Sequence, residues 1–315
     1  MSVIGLGAWQ LGSQWGHVSE EDALGVIDAA VAAGVTFIDT ADVYGDGRSE
    51  RLIGQWRAAN PDVELMVATK MGRRVEQRPE NFSAMAMREW NDRSRANLGV
   101  ETLDLVQLHC PPPALYSSDA LFDELDAMVA EGRMSAYGVS VETCDEALAA
   151  IARPAVATIQ IILNALRHKP LERVLPAAQE AGVGIIARVP LASGLLSGRY
   201  DEATTFAADD HRTYNRHGEA FDVGETFSGV PYDEGLAAVR ALTGVVPDGV
   251  STAAFALRWI IDQPGVTTVI PGARNAEQAR ANAASASVPA LTDEQLSAVG
   301  QIYDRYVRSS VHDRW

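Results

Sequence analysis

Cysteine is scarce: Cys110 and Cys144 are the only two in 315 residues, and they form no CxxC spacing. This excludes a disulfide framework and a cysteine-rich metal site, and it points to a reducing, cytoplasmic setting. Long apolar runs are missing as well. No stretch approaches the roughly 18 apolar residues that a membrane helix requires. The opening Met-Ser-Val-Ile-Gly-Leu-Gly has neither the basic region nor the apolar core of a signal peptide. Positive charge is in deficit, with 26 Lys and Arg against 42 Asp and Glu and a formal net charge of -16. Such a chain is repelled by nucleic-acid backbones and anionic membranes, so an anionic ligand must be held by a local basic group or a helix N-terminus. GxSxG, Walker and HExxH motifs are all absent.

Apolar material is plentiful, at 47% of the residues, enough for a large core without staples. It comes in short runs, at 3–6, 35–38, 65–68, 103–108, 136–139, 157–161, 183–187 and 267–270. Runs of this kind, bounded by Gly, Pro or polar residues, read as strands buried on both faces. Between them lie helical patterns at 20–33, 49–59, 83–97, 119–131, 145–152 and 171–181. Ser19 is a good N-cap for the first, and Gly34 closes it. Such alternation implies a parallel sheet, barrel or doubly wound. Eight runs favour closure into a (β/α)8 TIM barrel, α/β in class, with 1–315 as a single domain. Residues 199–232 break the rhythm and read as a long functional loop, often a lid. Residues 296–307 form an extra C-terminal helix.

The residues that end these runs are polar. Asp39, Lys70, His109, Ser140, Gln160 and Arg188 each follow or close one. In a barrel the C-terminal strand ends meet at one mouth, so these side chains should converge. The segment Phe37-Ile38-Asp39-Thr40-Ala41-Asp42-Val43-Tyr44-Gly45, with Lys70, His109 and Gly138-Val139-Ser140, resembles the aldo-keto reductase pattern. The likeness continues through Pro190-Leu191-Ala192-Ser193-Gly194-Leu195-Leu196 and Pro271-Gly272-Ala273-Arg274-Asn275. It implies a barrel with a nicotinamide cofactor, NADP(H), and four catalytic roles falling on Asp39, Tyr44, Lys70 and His109. The chemistry suits those residue types. A phenol of pKa about 10 donates poorly near neutrality unless its phenolate is stabilised. A lysine held by an aspartate would supply that, and a histidine can hydrogen-bond the carbonyl oxygen.

Gly5-Leu6-Gly7-Ala8-Trp9-Gln10 begins like a dinucleotide fingerprint, but Gln10 occupies the third glycine position, so a Rossmann site is rejected. The phosphate candidate is Arg274, at the start of a predicted helix over 275–285. The resemblance assigns Gly272, Arg274, Gln278 and Asn282 to the adenosine and its 2′-phosphate, and Ser140 and Gln160 to the carboxamide. Pro190, Leu191, Ser193, Gly194 and Gly198, with Arg199, would cover the pyrophosphate, and Gly7, Trp9, Asp39 and Arg188 complete the set. Trp9, Tyr44 and His109 would wall the substrate. Three departures from the pattern stand out: Val141 replaces a common Asn, Arg188 replaces a stacking aromatic, and the hairpin that plugs the barrel bottom is missing, unless the start is assigned late. Trp15 reads as pocket or core, Trp90 as packing, and Trp315 as either a pocket cover or a frayed end. Asp209, Asp210, His211 and His217 match no metal spacing, so no metal is expected. The expected activity is reduction of a small-molecule carbonyl or the reverse alcohol oxidation. The alternatives are a sugar or polyol dehydrogenase and a cofactor-binding regulatory subunit of the potassium-channel β type. Homo-oligomerisation is left open.

Overall fold

The computed structural model describes residues 1–12 and 18–315. Eight strands run parallel in sequential order: β1 (Leu6–Gly7), β2 (Phe37–Asp39), β3 (Met66–Met71), β4 (Leu105–His109), β5 (Tyr137–Ser140), β6 (Val156–Ile162), β7 (Gly184–Arg188) and β8 (Val266–Val269). The two ends of the sheet then meet. Ile4 bridges Val269 and Gly7 bridges Gly272, both parallel, through Gly5 N–H to Val269 O at 2.8 Å and Val269 N–H to Val3 O at 2.9 Å. The expected barrel is therefore present. Its first strand differs from the expected 3–6, because residues 3–5 pair with the last strand and the regular ladder to β2 begins only at Leu6. Lys70 likewise lies within β3, not after it, in register with Gln107 of β4.

Helices α1 (Glu20–Ala32), α2 (Arg48–Ala59), α3 (Ala84–Leu98), α4 (Asp119–Ala130), α5 (Cys144–Ile151) and α6 (Pro170–Ala181) fill the predicted intervals. Their starts have chemical causes: Ser19 Oγ accepts from Asp22 N–H at 3.0 Å, and Thr143 and Glu146 form a reciprocal capping box. Beyond β7 lie α7 (His211–Tyr214), α8 (Tyr232–Thr243), α9 (Thr252–Ile261), α10 (Ala276–Ala284), α11 (Asp293–Tyr306) and α12 (Arg308–Val311). The C-terminal helix starts earlier than 296 because Thr292 and Gln295 cap it reciprocally. Inside the barrel, Phe37, Ala68, Leu105, Ile186 and Ile270 form a buried apolar layer beneath the mouth. No helix among the described residues is long and apolar enough to cross a membrane.

The 199–232 segment is anchored more firmly than a bare loop. Arg216 lies over the rings of Phe227 and Tyr232 at 4.9 and 5.0 Å. Trp315 is buried against it: its indole N–H donates to both Asp222 oxygens at 3.0 and 3.2 Å, and the Arg167 guanidinium sits 3.6 Å from the ring. Gly229 has no room for a Cβ beneath that ring. Of the two readings of Trp315, the frayed end is thus excluded, and the residue covers the segment without lining the cavity. Trp90 packs edge-on against Phe82 at 5.4 Å. Trp15 lies outside the described residues.

Candidate active site

The strand ends meet at the mouth as the barrel requires. Lys70 Nζ lies 2.6 Å from Asp39 Oδ2, 2.8 Å from Thr40 O and 3.3 Å from Tyr44 Oη. The other oxygen of Asp39 accepts from Gln160 Nε2 at 2.7 Å and Gln107 Nε2 at 3.1 Å. Asp39 is therefore fixed from both sides, by a cation and by two amides. Gln107 was not singled out by sequence reading, although a glutamine inside the apolar run 103–108 was the available signal.

Burial and charge compete at each titrating group. Burial pulls the Lys70 ammonium down, but Asp39 and Tyr44 outweigh it and hold the pKa above its usual value. Burial pushes the Tyr44 phenol up, and Lys70 only partly offsets this. The expected lowering by lysine is present, but it is not the larger effect. Burial, helped by Arg73, Lys70 and Arg188, drives His109 well below the usual imidazole value, so the ring is neutral at pH 7. Its Nδ1 is buried and has no hydrogen-bond partner among the described residues.

A cavity of about 540 Å³ runs from this group to the start of α10, within the range of ligand-binding pockets. Its wall includes Gly7, Trp9, Asp39, Tyr44, His109, Ser140, Gln160, Arg188, Pro190, Leu191, Ser193, Gly194, Arg199, Gly272, Arg274, Gln278 and Asn282. Two expected members stand off the wall. Lys70 is buried behind it, and Gly198 turns the chain at φ +72° against Thr252. The amide nitrogen of Gln160 is engaged with Asp39, which leaves its carbonyl oxygen as the free acceptor.

The two unusual positions prove to be connected. Arg188 Nη2 donates to Val141 O at 3.0 Å and to Glu142 at 2.8 Å. Residue 141 thus acts through its backbone, with its apolar side chain fully buried.

At the far end, Arg199 and Arg274 line the cavity, and among the described residues neither forms an ion pair. Arg274 N–H donates to Gln278 Oε1 at 2.9 Å, and Asn282 Nδ2 donates to Gly272 O at 3.0 Å, which fixes the turn. Ser251 caps α9 and lines the same cavity with Ala253. Two helix N-termini therefore face it, one of which the sequence reading did not place. Gln10, read only as a broken glycine fingerprint, packs its amide against Gly272, where a Cβ would displace it, and among the described residues its buried Oε1 has no hydrogen-bond partner. Two unpaired guanidinium groups, helix N-termini and an orphaned acceptor suit an elongated anion with hydroxyl groups, notably in a chain of net charge -16.

His211 serves packing here: its Nε2 lies 3.3 Å from Ser193 Oγ, and its ring sits 5.2 Å from that of Trp9. Among the described residues, no three His, Cys, Asp or Glu groups gather as metal ligands.

The family model for the Aldo/keto reductase family matches residues 3–304. Aldo-keto reductase YhdN of Bacillus subtilis (strain 168) is 30% identical over 286 residues, covering 89% of this chain and 83% of its own. The structure of a glycerol dehydrogenase from Gluconobacter oxydans superposes with a TM-score of 0.79 at 30% identity, covering 98% of this chain and 93% of that one. An aldo-keto reductase from Klebsiella pneumoniae, solved in complex with NADPH, has the same fold, with a TM-score of 0.73 at 23% identity and coverage of 100% and 95%.

Proposed function

The chain belongs to the aldo/keto reductase family of oxidoreductases, and from that premise we propose that it is an NADP(H)-dependent carbonyl reductase, reversible as an alcohol dehydrogenase, with Tyr44 as general acid. The observation that carries this reading is Lys70, whose ammonium touches both Asp39 and Tyr44 at 2.6 and 3.3 Å beside a neutral His109. NADPH, when bound, supplies the hydride. The neutral His109 donates a hydrogen bond to the substrate oxygen, where negative charge develops. Tyr44 Oη gives its proton to that oxygen, and Lys70, clamped by Asp39, stabilises the phenolate left behind. Trp9, Tyr44 and His109 wall the substrate. Arg274 with Gly272, Gln278 and Asn282 holds the adenosine 2′-phosphate, while Arg199 and the turn from Pro190 to Gly194 cover the pyrophosphate. Ser140 Oγ and the free Gln160 oxygen take the carboxamide. The full chain, 1–315, acts as one barrel unit in the cytoplasm, a setting that suits its free thiols Cys110 and Cys144.

A second reading, polyol oxidation, uses the same residues in reverse and is favoured by the likeness to a glycerol dehydrogenase. The regulatory-subunit alternative is disfavoured by the assembled proton-transfer group. Stopped-flow NADPH oxidation with 4-nitrobenzaldehyde, and NADP+ reduction with glycerol, separates them. Tyr44→Phe should remove turnover in both directions while leaving the NADPH Kd within about twofold, since only the proton is lost. A fully active Tyr44→Phe enzyme overturns the proton-donor role. Cofactor binding by the native protein without turnover over a carbonyl and polyol panel returns the regulatory reading.

A further inference from the structure

Four charged side chains at the barrel mouth close a ring that the proton-transfer steps do not use. Arg73 follows β3, Glu142 follows β5, Arg188 ends β7, and Glu225 comes from the 199–232 segment. The nitrogen–oxygen distances are 2.9 Å for Arg73–Glu225, 3.5 Å for Glu225–Arg188, 2.8 Å for Arg188–Glu142 and 3.8 Å for Glu142–Arg73. None of the four side chains is more than 21% exposed. With all four groups ionised, two cations and two anions leave the ring neutral; burial raises the Glu142 pKa, and Arg188 at 2.8 Å works against that rise. Burying such charges is expensive and rarely stabilises a fold more than apolar packing would, so the ring calls for a reason beyond structure.

Its position supplies one. Arg188 and Glu225 line the cavity with Tyr44 and His109, and the ring's field reaches that end, since Arg73 and Arg188 both act on His109. The reduced nicotinamide ring is uncharged, whereas the oxidised ring carries a positive charge. A field on the cavity wall therefore acts mainly on the oxidised form. Arg188 alone would disfavour it, and the two glutamates offset that effect.

We propose that the Arg73–Glu225–Arg188–Glu142 ring sets the relative affinity for the two oxidation states of the cofactor, with Glu142 and Glu225 as positioning residues that make the oxidised state tolerable beside Arg188. The inference rests on the NADP(H) reading above. Its sign is fixed by charge alone. Glu225→Gln leaves the ring with net charge +1 and should raise the Kd for NADP+ about threefold to tenfold relative to that for NADPH, the scale of one partly screened buried charge. Glu142→Gln should do the same. Arg188→Gln leaves net charge -1 and should shift the ratio the opposite way. The double variant E225Q/R188Q is neutral again and should return the ratio towards that of the native protein.

Titration of tryptophan fluorescence with NADP+ and NADPH at fixed ionic strength and without substrate measures the ratio, and circular dichroism melts check folding. If Glu225→Gln fails to fold, Glu142→Gln carries the same sign and the same test. Equal losses for both cofactor forms make the ring a mechanical clamp and overturn the proposal, as does a shift of the same sign for Glu225→Gln and Arg188→Gln. A native protein that binds neither form overturns the NADP(H) reading itself.

Discussion

A lysine 1% exposed among neutral groups would shed its proton. Lys70 keeps its charge because Asp39 lies 2.6 Å away and is itself oriented by Gln107 and Gln160. Asp39, Lys70 and His109 were legible in the sequence because each ends or closely follows an apolar run, which the barrel turns into proximity; Tyr44, farther along the loop after β2, was legible only through the family resemblance. Gln10, Gln107, Arg73 and Glu225 were not, since their partners lie far along the chain: Arg73 and Glu225 are 152 positions apart. At this scale the cofactor assignment is tested at Arg274. Arg274→Ala should weaken NADPH binding by about 1.5–3 kcal/mol, the worth of a charged hydrogen bond, and leave NADH binding nearly unchanged. Equilibrium titration with both cofactors checks this, and equal losses would overturn the 2′-phosphate role.

Element by element, caps and periodicity located α1 through α6, whereas α8 and α9 went unplaced. The cause in α9 is burial: Phe255, Ala256, Leu257, Trp259 and Ile260 leave almost no polar face to set a period. β1 is two residues long, so the run at 3–6 located the first strand but not its bounds. Helices α9 and α11 meet at His168, whose ring stacks 4.6 Å from Trp259 of α9 and 4.0 Å from Tyr303 of α11. Burial lowers its pKa from 6.5 to about 3. The unfolded chain therefore binds a proton between those values that the folded one refuses. The resulting stability is fully present above pH 6.5 and is lost as pH falls from 6.5 towards 3. His168→Phe, which keeps a ring in the stack, should flatten the fall of Tm across that window. An unchanged slope would show that the histidine does not contribute to it.

On the scale of the whole molecule, the long segment was expected to be a lid, and its composition gave no hint of what fastens it. The fastening comes from Trp315, Arg167 and Asp222, three positions that only the closed barrel brings together. Trp315→Ala should cost about 3–5 kcal/mol, the scale of a buried large aromatic. Because the Trp315 indole holds Asp222 inside the segment, the substitution should also speed proteolysis within 199–232. Thermal melts and limited digestion measure both, and an unchanged Tm would rule out the anchor. The seam between β8 and β1 has a consequence during synthesis. β1 can meet β2 early, but the Gly5 N–H and Val3 carbonyl find their partner only when Val269 has been made. Until then the nascent chain carries an open strand edge, the kind of surface that pairs wrongly with neighbours. The last βα units thus decide both when the barrel can close and how long that edge must be shielded.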